Sequence, residues 1–229
     1  MNIIPVITID GPSGSGKGTI GQLLAKDIHW HFLDSGALYR VLAFDAVEKG
    51  VELFDEAQLA ILAKALPVKF IPQADGSSQV LLQDRDVSQA IRTEEIGNAA
   101  SKVGAWPKVR AALVDCQHAF RQAPGLVTDG RDMGTIIFPD AALKIFLSAS
   151  AQERATRRYN QLKQKGINVS LGDLCNELLE RDKRDQERQV APLVPAADAI
   201  IIDTTHCAID EVLQQVKGWV NKVFSLHEK

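Results

Sequence analysis

A glycine-rich segment near the N-terminus has the residue types and spacing of a loop that holds phosphate groups. Residues 11–17 read Gly-Pro-Ser-Gly-Ser-Gly-Lys, and Gly18 and Thr19 follow. The glycines let successive backbone N–H groups point at phosphate oxygens, and a helix starting at Lys17 adds partial positive charge there. Lys17 can reach the β- and γ-phosphates of a nucleotide as a point charge. We therefore predict that the whole loop binds a nucleoside triphosphate: Gly11, Pro12, Ser13, Gly14, Ser15, Gly16, Lys17, Gly18 and Thr19.

The position after Lys17 departs from the usual pattern of such loops. A serine or threonine normally stands there and its hydroxyl binds Mg²⁺, whereas here Gly18 takes the place and Thr19 comes next. We therefore predict no direct protein ligand to the metal, with Mg²⁺ held by phosphates and water. Asp129, at the end of an apolar segment, is a candidate to orient a metal-bound water.

Two other nucleotide-binding classes fit the sequence poorly. A dinucleotide-binding loop starting at Gly14 would need glycine or alanine where Thr19 stands. A regulatory GTPase would need an Asn-Lys-x-Asp motif, but Asn221 and Lys222 are followed by Val223 and Phe224. The ending Gly-Lys-Gly-Thr resembles that of nucleoside monophosphate kinases instead.

Arginines outside the loop could form a second phosphate site. Phosphoryl transfer requires neutralisation of charge on donor and acceptor, and arginine grips phosphate with two parallel hydrogen bonds. The candidates are Arg40, Arg92, Arg110, Arg131, Arg154, Arg157, Arg158, Arg181, Arg184 and Arg188. A protein that used the loop only as a switch would not need them, so they favour a phosphotransferase.

The elements that must position these residues alternate between strands and helices. Short apolar runs predict strands at Val6–Asp10, Phe32–Leu33, Leu126–Asp129, Leu143–Leu147 and Ala199–Ile202. Helical spacing or capping signals predict helices at Lys17–Lys26, Ala37–Lys49, Pro107–Arg121, Arg154–Lys165, from near Ser170 to Arg188, and Ile209–Phe224. This alternation predicts an α/β fold with a parallel, doubly wound sheet covered by helices on both faces.

A segment from about Val51 to Ser101 interrupts the alternation. It predicts a helix at Asp55–Leu66 and a hairpin of Val68–Ile71 and Val80–Leu82 across the turn Ala74–Ser77. Gln83–Asp86 is predicted to be a further polar turn. We interpret residues 51–101 as a small α+β insertion within a single domain spanning residues 1–229.

Charge and cysteine content indicate which partners and which cellular compartment the protein has. A net charge of −3 favours neither a nucleic-acid polymer nor a membrane surface as partner. The three cysteines are far apart and form no Cys-x-x-Cys pair, which is typical of a reducing compartment. We expect a cytoplasmic protein, without a signal peptide or membrane span, that is a monomer.

Several motifs in order carry a family resemblance. Besides the loop, they are Leu-Asp-Ser-Gly-Ala-Leu-Tyr-Arg at 33–40, Thr-Asp-Gly-Arg-Asp-Met-Gly-Thr at 128–135, Arg-Asp-Lys-Arg-Asp at 181–185, and Ala-Pro-Leu at 191–193. Together they closely resemble the bacterial cytidylate kinases, from Val6 to about Asp203. The resemblance implies a P-loop kinase with a nucleoside-monophosphate-binding insertion, a short lid near residues 154–165, and transfer from ATP, with Mg²⁺, to CMP or dCMP in pyrimidine metabolism.

The resemblance also implies roles for individual residues. Lys17 and Arg131 would act on the transferring phosphoryl group, and Arg157 and Arg158 would close on the ATP phosphates. The residues implied to bind CMP are Ser35, Arg110, Asp132 and Arg188 at cytosine, Ser101, Arg181 and Asp185 at the sugar, and Arg40 and Arg131 at the phosphate. A carboxylate such as Asp132 can accept from the cytosine amino group, which uracil lacks. A kinase for UMP or AMP, and a nucleotide-dependent switch, remain as alternatives.

Overall fold

The phosphate loop lies between the first strand and the first helix of an alternating α/β chain. The computed structural model describes residues 3–73, 78–164 and 166–224. In chain order the elements are β1 (Val6–Asp10), α1 (Lys17–Asp27), β2 (His31–Asp34), α2 (Ser35–Glu48), α3 (Glu56–Lys64), β3 (Val68–Pro72), β4 (Ser78–Leu82), β5 (Arg85–Asp86), α4 (Glu94–Val103), α5 (Pro107–His118), β6 (Leu126–Gly130), β7 (Leu143–Ser148), α6 (Ala151–Gln164), α7 (Leu171–Glu187), β8 (Ile200–Asp203) and α8 (Ile209–Phe224). A 3₁₀ turn (Ala90–Arg92) precedes α4, and a π-helical segment (Met133–Ile137) follows β6.

The chain divides into two units. The loop unit comprises Met1–Phe32 and Ala123–Lys229, and the second unit comprises Leu33–Gln122.

The large sheet has five strands in the order β2-β6-β1-β7-β8. β1 runs parallel to β6, with Val6 opposite Leu126 and Asp10 opposite Gly130. β1 also runs parallel to β7, and β7 to β8. The prediction of a parallel sheet flanked by helices is confirmed, and the carboxyl ends of β1 and β6 lie side by side, where ligands bind in open α/β sheets.

Alternation along β1 assigns its side chains to opposite faces of the sheet. Ile7 and Ile9 are fully buried in a core with Leu24 of α1 and with Val212 and Val216 of α8. The four-residue spacing in α8 places its apolar residues on one face. This burial of apolar side chains is the main stabilising contribution that anchors α1, and hence the end of the loop, to the sheet.

The second unit combines helices with a small antiparallel sheet. α2, α3, α4 and α5 share one buried cluster, which includes Leu42, Leu59 and Leu113. β3, β4 and β5 form the sheet, with Val68 opposite Leu82. The predicted hairpin is therefore present, while its predicted turn Ala74–Ser77 lies outside the described residues.

The sequence prediction for this unit was wrong in two places. Only Gln83 and Asp84 form the polar turn, both at positive φ, because Arg85 and Asp86 pair with β4 as a third strand. The helix α4 was missed, although Thr93 caps it by accepting from the N–H of Ile96 at 3.3 Å. Ser101, the predicted end of the insertion, lies inside this helix.

Several helices differ from the prediction at their ends. α2 begins at Ser35 because the Asp34 carboxylate accepts from the N–H of Ala37 at 3.0 Å. α6 begins at Ala151, since Ser150 Oγ accepts from the N–H of Glu153 at 3.2 Å. α5 ends at His118 instead of Arg121, and Lys165, the predicted end of the basic helix, lies outside the described residues.

Candidate active site

The loop unit holds the glycine-rich loop in a compact turn. The N–H of Ser15 donates to the carbonyl of Pro12 at 3.4 Å, and Lys17 Nζ donates to the same carbonyl at 3.2 Å. A Cβ on Gly11 would lie 2.2 Å from the carbonyl oxygen of Leu147, so only glycine fits between the loop and β7. Gly16 caps α1 with a φ of 92°, which directs the chain into the helix at Lys17.

The start of α1 has the electrostatics of an anion site. Its first turn contains no acidic residue that could neutralise the partial positive charge of the helix N-terminus. Ser15 is buried, and its Oγ has no hydrogen-bond partner among the described residues. Free N–H groups at a helix start, a lysine and a buried hydroxyl together suit phosphate oxygens.

Side chains outside the loop bind its carbonyl groups. Arg154 of α6 donates to the carbonyl of Ser13 at 2.9 Å and forms a buried ion pair with both carboxylate oxygens of Asp182 in α7. The hydroxyl of Thr204 donates to the carbonyl of Ser15 at 3.1 Å. Because these carbonyls are already bound by the protein, the loop can present its N–H groups to a ligand. Sequence reasoning assigned Arg154 no such contact, did not pair it with Asp182 and did not name Thr204, since long-range partners leave no local signal.

Arg131 is fixed directly beside the loop. Its Nε donates to Asp185 at 2.7 Å and its Nη1 to the carbonyl of Gly11 at 3.0 Å. Burial alone lowers the pKa of this guanidinium, but Asp185, together with Asp129 and Asp182, raises that pKa above its usual value. Arg131 therefore stays a cation at a defined position next to the predicted phosphate site.

Asp185 lies among three arginines. Burial raises the pKa of its carboxyl, but Arg131, Arg181 and Arg188 outweigh burial and hold that pKa below the usual range. The carbonyl of Asp185 accepts from the N–H of Leu193 at 2.8 Å, which ties the Ala-Pro-Leu motif to α7. Clustered guanidinium groups of this kind favour a phosphorylated ligand.

Asp132 lies at the start of the π-helical segment and is buried. The Asp10 carboxylate accepts from the N–H of Met133 at 2.9 Å and from the N–H of Gly134 at 2.8 Å. A Cβ on Gly134 would lie 2.8 Å from the hydroxyl of Thr8, so a glycine is needed where this turn packs on β1. Sequence reasoning missed both the π-helical segment and Asp10, although a carboxylate ending an apolar strand was a usable signal.

Asp129 is the residue near the loop whose chemistry suits magnesium and its waters, and its role there stays a prediction. Asp129 is buried at the end of β6, and its Oδ2 lies 3.8 Å from where a Cβ on Gly18 would stand. Carboxylate oxygens suit Mg²⁺ and the waters it carries. Among the described residues no group of three or more acidic, histidine or cysteine side chains could hold a metal.

Arg157 and Arg158 lie on α6 with different surroundings. Arg157 donates to Glu153 at 3.0 Å and to both the hydroxyl and the carbonyl of Thr204, so its guanidinium is held beside the loop. Arg158 donates to Gln161 at 3.4 Å. Action of either residue on ATP stays a prediction, and Arg157 would have to exchange partners to reach a phosphate.

The second unit holds the remaining predicted residues. Arg40 donates to the carbonyls of Ile91 and Thr93 at 2.9 and 3.3 Å, at the end of the 3₁₀ turn. Arg110 is buried and donates to the carbonyl of Gly104 at 3.1 Å, with its guanidinium over the ring of Tyr39.

Two serines of this unit are also buried. Ser35 is the first residue of α2. Ser101 is buried in α4, and its Oγ has no hydrogen-bond partner within the described part of the chain. A buried hydroxyl without a partner is suited to a ligand.

A parallel sheet with a phosphate loop after its first strand, and with arginines fixed beside that loop, defines a P-loop phosphotransferase. The chain belongs to the cytidylate kinase family, whose model matches residues 7–222.

Similar curated proteins span the same length. A cytidylate kinase from Shewanella sp. (strain MR-7) is 56% identical over 97% of both chains. Cytidylate kinases from Methylococcus capsulatus and Nitrosococcus oceani are each 58% identical, over 93% and 95% of this chain and 96% of theirs. A solved shikimate kinase from Bacteroides thetaiotaomicron covers 95% of this chain and 99% of its own at 10% identity and a TM-score of 0.45, which is too distant to support an argument.

Proposed function

We propose that this protein transfers the γ-phosphoryl group of ATP to CMP and dCMP, forming CDP and dCDP. The observation that carries the proposal is the arginine cluster around Asp185, next to a phosphate loop, in a chain of the cytidylate kinase family. The loop accounts for the donor nucleotide, and the cluster accounts for a second phosphorylated ligand.

Charge stabilisation supplies most of the proposed catalysis. Lys17 and the loop N–H groups would hold the donor phosphates, and Arg131 would stabilise charge that spreads over the transferring group. Arg131 is suited to this because Asp185 and the Gly11 carbonyl fix its position before substrate binds. No residue needs to act as a covalent nucleophile.

Magnesium, when bound with ATP, would neutralise the phosphate oxygens. Asp129, buried at the end of β6, would orient water around the ion, and the loop N–H groups and Lys17 would hold the phosphates themselves. The chain's own residues would thus align donor and acceptor for in-line transfer.

The residues proposed to recognise CMP come from each of the two units. In the loop unit the assigned residues are Asp132 and Arg188 for cytosine, Arg181 and Asp185 for the sugar, and Arg131 for the phosphate. In the second unit they are Ser35 and Arg110 for cytosine, Ser101 for the sugar, and Arg40 for the phosphate. The Ser101 hydroxyl, which has no hydrogen-bond partner among the described residues, and the buried Asp132 carboxylate support these assignments.

The setting of the enzyme is likewise a proposal. Among the described residues no helix is both long enough and apolar enough to cross a membrane. Action in the cytoplasm, as a monomer and without a nucleic-acid polymer as partner, stays a prediction.

An acceptor panel tests the proposed function. ADP release is measured with ATP and Mg²⁺ and with CMP, dCMP, UMP, AMP or no acceptor. Strong turnover with CMP and dCMP alone supports the proposal. Strong turnover with UMP or AMP would reassign the acceptor, and ADP release independent of any acceptor would favour a nucleotide switch.

A further inference from the structure

Asp10 is a buried carboxylate to which the proposed mechanism gives no role. It ends β1, immediately before Gly11, and is only 5% exposed. Its two oxygens accept from two consecutive backbone N–H groups, those of Met133 and Gly134, at 2.9 and 2.8 Å. A charged acceptor for two donors is a strong and directional contact.

These N–H groups belong to the turn that follows Arg131 and Asp132. The carbonyl of Asp132 accepts from Ile136 and Ile137 at 2.9 and 3.2 Å, which closes the π-helical segment. Asp10 thus binds the open, N-terminal end of that segment, where N–H groups lack partners within the helix. The end of β1 therefore has two connections. Its backbone continues into the phosphate loop, and the Asp10 side chain fixes the Arg131–Gly134 turn.

We propose that Asp10 is a positioning residue for the acceptor nucleotide, because its carboxylate fixes the turn that presents Arg131 and Asp132. The inference rests on the proposed function, in which Arg131 binds the CMP phosphate and Asp132 binds cytosine. Asp10 acts through this turn and does not touch the acceptor.

The charges around Asp10 define how it responds to pH. Burial, with a smaller contribution from Asp132, raises the pKa of its carboxyl to about 6, although the two N–H bonds and Lys17 lower it. On the adjacent strand β7, Lys144 is paired with Asp198 at 3.0 Å. Protonation at lower pH would turn one oxygen into a hydroxyl, which accepts poorly from its N–H.

The matched variants are Asp10→Asn and Asp45→Asn. Asparagine keeps the size of aspartate but turns an amide NH₂ toward one of the two N–H donors, so that donor loses its acceptor. Asp45, on α2 in the second unit, is also a buried carboxylate, and it accepts from Lys49 Nζ at 2.7 Å. Asp45→Asn therefore makes the same chemical change at a buried aspartate that does not bind the turn.

Steady-state kinetics with each nucleotide varied in turn provide the test. We expect Asp10→Asn to raise the KM for CMP by about tenfold while the KM for ATP stays within about twofold. Asp45→Asn should leave both constants within about twofold. An equal loss for both nucleotides, an unchanged KM for CMP, or the same loss in Asp45→Asn would overturn the proposal.

A second measurement needs no turnover. At pH 8 the amide proton shifts of Met133 and Gly134 should differ between the wild type and Asp10→Asn and should match the wild type in Asp45→Asn. Unchanged shifts in Asp10→Asn would show that Asp10 does not hold the turn. This result is independent of CMP phosphorylation, so a failure of the proposed function, which would appear as no wild-type turnover with CMP, is distinguishable from a failure of this inference.

Discussion

Lys17 has the most direct predicted catalytic role, and we expect its side chain to contribute little to the stability of the fold. It lies at the first position of α1 and donates to the Pro12 carbonyl within its own loop. We expect Lys17→Ala to lower kcat by about 10²–10³-fold, because one preorganised positive charge is lost at the transferring group. Thermal unfolding of the variant should match that of the wild type. Retained turnover would remove the lysine from the mechanism.

Asp132 is the residue at which base selection is most sharply testable. Its buried carboxylate can accept from the amino group of cytosine. We expect Asp132→Ala to raise the KM for CMP by about 10–100-fold, because a hydrogen bond to a charged group is lost. The KM for ATP should change much less. Kinetics with both nucleotides check this, and an equal loss of ATP affinity would show that the base assignment is wrong.

At the scale of elements, Arg154 of α6 connects α7 to the phosphate loop. It forms an ion pair with Asp182 of α7 and a hydrogen bond to the loop. Arg154 and Asp182 have side chains 4% and 14% exposed, and Arg154 also binds the Ser13 carbonyl. Arg154→Ala would leave Asp182 and that carbonyl without their partner. We expect a loss of about 3–5 kcal/mol in the free energy of unfolding, measured by denaturant titration.

The double variant Arg154→Met, Asp182→Leu provides the control. Because it removes both charges, it should be clearly less destabilised than Arg154→Ala alone. A double variant as unstable as the single one would mean that packing of the Arg154 stem, and not the ion pair, stabilises this contact.

Local chemistry explains which elements were predictable from the sequence. β1, α1 and α8 were predicted with nearly the observed bounds because apolar spacing and glycine punctuation act within a few residues. The helix α4 was missed because its Thr93 cap lay inside a segment interpreted as a small α+β insertion, in which only Asp55–Leu66 was predicted to be helical. The π-helical segment depends on Asp10, more than 120 residues earlier, so no local pattern predicts it.

At the scale of the whole chain, the motifs predicted the family, but spacing could not predict the contacts. Arg131 was chosen for the acceptor phosphate, whereas its bonds to Asp185 and Gly11 emerge only in the folded chain. Arg157 was chosen for ATP, yet its guanidinium is held by Glu153 and Thr204. Side-chain partners distant in sequence are set by tertiary packing, which a single sequence does not display.

Direct transfer between two nucleotides is the central claim for the molecule. Following ATP, CMP and Mg²⁺ by ³¹P NMR with wild-type protein and with Lys17→Ala tests it most directly. We predict that the γ-phosphorus signal of ATP is replaced by the β-phosphorus signal of CDP in equal amount, with no inorganic phosphate, and that Lys17→Ala shows neither change. Release of inorganic phosphate without formation of CDP would contradict the account.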